Sequence, residues 1–115
     1  GCSTTGEQDV RASAERFARE AVSSPAQACG LVASATLDQL EQDGEKCRDV
    51  VGSAVPSDLG AVRAVSLAGS SAQVRFEGDT LFLSRYDEGW RVLAAGCRRT
   101  SSDPDEPYAC ELAAG

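Results

Sequence analysis

Five cysteines carry the most distinctive chemistry of this 115-residue chain: Cys2, Cys29, Cys47, Cys97 and Cys110. The last four fall into two close pairs, and Cys2 stands apart. Four cysteines allow three pairings. Cys29–Cys47 and Cys97–Cys110 are the expected ones, because each closes a short local loop. An unstrained bridge over such a loop stabilises by about 3 kcal/mol. A four-cysteine zinc site has two C-x₂₋₄-C knuckles, and neither pair has that spacing. No metal and no cofactor is expected. Structural disulfides persist in oxidising compartments, so the four cysteines imply export.

Cys2 needs a different account. Gly1-Cys2-Ser3-Thr4-Thr5-Gly6 resembles the end of a bacterial lipobox followed by a polar tether. That pattern implies removal of a signal peptide before Cys2 and a diacylglycerol on its sulfur. Acyl chains at about 0.8 kcal/mol per buried CH₂ would anchor the domain to the outer face of the cell membrane. The alternatives are a leftover thiol in an expression tag and an intermolecular disulfide.

The remaining chemistry is limited by what is absent. There is no His and no Asn, and Lys46 is the only lysine beside ten arginines. Without His, no Ser–His or Cys–His pair can activate a nucleophile. Gly-x-Ser-x-Gly and glycine-rich phosphate loops are absent too, so no catalytic residue is assigned. A formal net charge of -7 opposes nucleic acid and anionic lipid as partners through bulk charge. Asp79, Asp87 and Glu88 fall in predicted turns, where short polar side chains bond to nearby backbone. Asp103-Pro104-Asp105-Glu106-Pro107 is acidic but lacks the spacing and glycine of a calcium loop. It reads as a solvated loop with Arg98-Arg99 as charge partners. An isomerase-like site would need Glu77 or Asp79 beside Tyr86 or Tyr108, with the carboxyl buried. Trp90 and Phe82 read as packing residues, with a pocket lining or a subunit interface as the alternative.

These residues must be positioned by two kinds of element. Residues 1–6 read as a flexible tether, and 7–115 as a single domain. Val10, Ala14, Phe17 and Ala21 recur with helical period. Ser24 as N-cap and Pro25 at the first helical position open a second helix, with Ala28, Leu31 and Val32 inward. A short amphipathic stretch follows over Thr36–Glu41, then a helix from about Glu45 carrying Cys47, Val50, Val51 and Ala54. Pro56 closes the helical half, and Ser57-Asp58-Leu59-Gly60 reads as a connector. The period then changes to two. Candidate strands are Val62–Ala68, Ala72–Glu77, Thr80–Tyr86, Trp90–Cys97 and Tyr108–Leu112, separated by Gly69-Ser70-Ser71, Gly78-Asp79 and Asp87-Glu88-Gly89. Helices followed by hairpins predict an α+β domain, N-terminal helices packed on a curved antiparallel sheet of four to five strands.

That order, together with Gly89-Trp90-Arg91-Val92, resembles the nuclear transport factor 2-like superfamily, which includes ketosteroid isomerases, polyketide cyclases and non-catalytic modules. Cys29-Gly30-Leu31, Cys47, Gly96-Cys97 and Cys110 are similar to a pattern in small secreted lipoproteins of actinobacteria with this fold. The resemblance implies a cone-shaped sheet wrapped around helices, often with a pocket. It also implies an exported, lipid-anchored module that binds a small apolar ligand or an envelope protein. A cyclase- or isomerase-type enzyme and a structural or homodimerising accessory are the alternatives. Membrane contact is expected through the lipid anchor only.

Overall fold

A computed structural model of the chain describes residues 2–55, 59–87, 89–99 and 108–112, with backbone alone for residues 2–5, 98–99, 108–109 and 111. The Pro56-Ser57-Asp58 part of the connector, Glu88 and the acidic 103–107 segment lie outside the described residues.

The helical half follows its apolar spacing. Helix α1 spans Cys2–Ser23, and Val10, Ala14, Phe17 and Ala21 are all buried along it. Its backbone is helical from Cys2 onward, through the segment read as a tether. Extending an existing helix costs far less than nucleating one, so the helix formed by residues 7–23 can carry Ser, Thr and Gly at its start.

Helix α2 is a single turn, Pro25–Ala28, followed by a 3₁₀ turn over Cys29–Leu31. Pro25 occupies the first turn as expected, but the Ser24 side chain makes no capping bond. The longer second helix expected through Val32 does not form. Val32 is extended, with φ -90° and ψ 141°. It makes a parallel bridge to Val92, and the Ala33 amide donates to the Val92 carbonyl at 2.8 Å. A sheet partner distant in sequence thus replaces the next helical bond. Helix α3 covers Ser34–Gln42 and α4 covers Cys47–Ala54.

The second half is one antiparallel sheet, so the domain is α+β as the change of period predicts. Its strands are β1 Val62–Ala68, β2 Ser71–Phe76, β3 Thr80–Tyr86, β4 Gly89–Arg99 and β5 Tyr108–Leu112, in that spatial order. Ala68 pairs with Ser71 across a two-residue turn whose first residue, Gly69, has φ 62°. A type II′ hairpin turn requires a positive φ at that position.

The helices cover one face of the sheet. Ala72, Val74, Phe76, Leu81, Leu83 and Val92 point towards them and join Phe17 and Val10 in one core. Burying an aromatic ring as fully as Phe17 (0% exposed) contributes roughly 3 kcal/mol. Two register shifts bend β4. Leu93 is the extra residue between the Leu83–Val92 and Phe82–Ala94 pairs, and another residue is inserted before the Thr80–Cys97 pair. Such bulges bend a strand and sharpen its twist.

Both expected disulfides are present. Cys29–Cys47 joins the 3₁₀ turn to the first residue of α4. Cys97–Cys110 joins residues directly opposed on β4 and β5.

Candidate functional site

β1 is a terminal strand of the sheet. Its tight turn sets which groups are free. Ala68 and Ser71 close the hairpin, so Ser66–Gln73 and Ala64–Arg75 are the hydrogen-bonded pairs of the alternation. The amide and carbonyl groups of Val65 and Leu67 are therefore directed away from β2. Charges and bulges commonly protect such edges. Here the shift between Val62 and Ala64 makes Arg63 a bulged, charged residue, guarding the first part of the strand. Ala64–Ala68 carries neither charge nor proline.

Helix α1 supplies the opposite wall. A Cβ placed on Gly6 would sit 3.4 Å from Leu67 Cδ1, so the start of α1 comes close to β1. Between them runs a groove of about 410 Å³, lined by Glu7, Gln8 and Arg11 from α1 and Arg63, Ala64 and Val65 from β1. Arg63 pairs with Glu77 at 3.5 Å, and both side chains are more than half exposed. Such a pair contributes little to stability. Glu77 also accepts a bond from the Ala61 amide at 3.3 Å, which places its carboxylate at the β1 edge.

A second, shallower depression of about 220 Å³ lies at the β1–β2 hairpin and is lined by Leu67, Ala68, Ala72 and Phe82 with Ser66 and Gln73 among others. Ser66, Gln73 and Phe82 are in register across three strands. They alternate with the inward residues, so they share the face turned away from the helices.

The residues singled out in the sequence are dispersed. Trp90 is half-buried and packs against the core, the packing role expected for it. Phe82 is half-buried on the outer face. The Asp79 carbonyl closes its turn by accepting the Phe76 amide at 2.8 Å, while its carboxylate reaches another strand. Its two carboxylate oxygens accept the Gly96 and Cys97 amides, each at 2.9 Å. Tyr86 is 38% exposed at the far end of β3 from Asp79, roughly 20 Å along an extended strand. Tyr86, Glu77 and Asp79 therefore do not meet. Tyr108, Arg98 and Arg99 are strand residues described by backbone alone, and Asp87 is exposed in its turn. Cys2 is the first residue of α1.

Among the described residues, no group of three or more Cys, Asp or Glu is placed to hold a metal ion. No described helix is long and apolar enough to cross a membrane. Arg11 and Arg63 were not singled out by sequence reasoning. Arg11 sits on the polar side of an amphipathic helix, and β1 becomes an edge only once the strand order is known. Comparisons with protein-family models, curated proteins and solved structures find no match to this chain.

Proposed function

We propose that this protein is an exported, lipid-anchored, non-catalytic binding module that holds an envelope protein in the groove between α1 and β1. The observation that carries this reading is the open β1 edge with a helix wall beside it. A groove flanked by free backbone groups suits a protein partner. The two disulfides support an oxidising compartment. The resemblance of Gly1-Cys2-Ser3-Thr4-Thr5-Gly6 to a lipobox end supports lipid attachment at Cys2, on the first turn of α1. The bulged β4 and the helices on one face of the sheet support the nuclear transport factor 2-like cone. Both carboxylates considered for isomerase chemistry are engaged elsewhere, Glu77 at the β1 edge and Asp79 on β4 amides.

The depression beside Phe82 favours a second reading, a small apolar ligand on the outer face, because Phe82 and Ala68 present apolar side chains there.

Mass spectrometry of protein extracted from its own host tests the anchor. A diacylglyceryl-sized increment on Cys2 is expected, and an unmodified Cys2 removes the anchor from the reading. A photoreactive side chain at Gln8 or at Gln73, introduced in the host, separates the two sites. Protein adducts at Gln8 alone are expected for groove binding. A small molecule cross-linked at Gln73, with nothing captured at Gln8, would replace the envelope-protein reading with the ligand reading.

A further inference from the structure

The geometry points to strand addition as the mode of recognition: the β1 edge takes an extended, uncharged peptide segment of the partner as an extra strand beside β1, along the groove that α1 borders. This rests on the binding-module reading and specifies the chemistry of its groove.

Three observations converge on it. First, the register leaves the amides and carbonyls of Val65 and Leu67 facing away from β2. They present a donor and an acceptor at every second residue, the pattern an added strand requires. Second, α1 stands close to this edge, so a single extended segment is less obstructed there than a second copy of this chain. A β1–β1 dimer would bring a second α1 to the same edge, where the resident helix already approaches Leu67 through Gly6. A groove of about 410 Å³ instead suits a few residues of a single segment. Third, the local charges balance. Glu7 and Arg11 line the groove from one helix, and Arg63 is paired with Glu77. Neither an acidic nor a basic segment gains from this lining, and the net charge of -7 opposes acidic partners further. Recognition therefore falls to the backbone, with small or β-branched side chains against Ala64 and Val65.

The test uses a hexapeptide of alternating Thr and Val, amidated and capped at its N-terminus with an uncharged BODIPY dye so that the probe carries no charge, titrated by fluorescence anisotropy. Saturable binding is expected, weakened at least about 10-fold when alternate peptide amides are N-methylated. Val65→Pro removes an amide that β2 does not use, at an edge position where proline is tolerated. It should weaken binding about 10-fold or more while leaving the far-UV circular dichroism unchanged. Gln8→Trp fills the groove from the helix side without touching the strand. It should give the same loss, and it decides the matter if Val65→Pro fails to fold. Equal affinity for the N-methylated peptide, or undiminished binding by Gln8→Trp, overturns strand addition. So does an absence of binding up to about 1 mM. If peptide binding is absent while protein adducts at Gln8 persist, strand addition falls and the binding-module reading stands. If both are absent, both fall.

Discussion

The Asp79 carboxylate holds the amide of Cys97, 18 residues further along the chain, at 2.9 Å, and the adjacent Gly96 amide at the same distance. Gly96 has φ 67°, and the inserted residue of β4 lies in this stretch. The bulge takes amides out of the regular ladder, and Asp79 satisfies two of them with charge-assisted bonds. Asp79→Ala should therefore destabilise the domain by about 2–4 kcal/mol, from two such bonds lost in a partly buried site. Asp79→Asn keeps one acceptor oxygen and should recover part of that loss. Urea unfolding midpoints of the two variants check the order. Equal stability of Asp79→Ala and the parent would remove the carboxylate from the account of the bulge.

Thr36 performs the corresponding service at the other bulge. Its hydroxyl donates to the Leu93 carbonyl at 2.6 Å, and Thr36 is completely buried. Thr36→Val keeps the shape and strands that carbonyl, at an expected cost of about 1–3 kcal/mol. Thr36→Ser retains the donor and should cost less. Thermal unfolding of the pair separates the lost bond from the lost methyl group. If Thr36→Ser is the more damaging of the two, packing dominates at this site.

These two contacts mark where sequence legibility stops. The apolar spacing of α1 identified Val10, Ala14, Phe17 and Ala21, and all four are buried. The glycine turns delimited Val62–Ala68 and Thr80–Tyr86, and proximity picked the two cysteine pairings. Each of those signals is local. The bulges of β4 depend on contacts with Asp79 and Thr36 across 17 and 57 residues, and no local pattern encodes them. Asp79 followed by Thr80 reads as turn chemistry, yet its carboxylate serves another strand. The groove was invisible for a related reason. An edge strand and an interior strand can have the same alternation, and the strand order that distinguishes them is a property of the whole sheet.

Gly60 and Gly44 make a matched pair for measuring a close approach. Both have positive φ, 83° and 73°. A Cβ on Gly44 meets nothing within 4 Å, whereas one on Gly60 would lie 2.9 Å from Glu77 Cβ and overlap the Glu77 carboxylate. Gly44→Ala should cost only the left-handed backbone penalty of about 1 kcal/mol. Gly60→Ala adds displacement of Glu77 from Ala61 and Arg63, for a total of about 2–3 kcal/mol. Denaturant midpoints measured in parallel test the difference. Equal costs would mean that Glu77 yields freely and contributes nothing to the β1 edge.

The two disulfides differ in what they restrain more than in how much they stabilise. Their sequence separations are 18 and 13, and loop-closure entropy changes only logarithmically with length, so each should contribute about 3 kcal/mol. Cys29–Cys47 joins elements packed around the helical side of the core, and its replacement by a pair of alanines should lower protection from hydrogen exchange broadly in α2 and α4. Cys97–Cys110 restrains the terminal strand β5, whose Leu112 is fully buried. Replacing that pair should loosen β5 and its partner amides in β4 first, leaving β1–β3 protected. Hydrogen exchange read residue by residue distinguishes the two cases. Uniform loss of protection in the second variant would mean that Leu112 and the β4–β5 pairing cannot open separately from the core. The sheet would then unfold as one cooperative unit from β1 to β5.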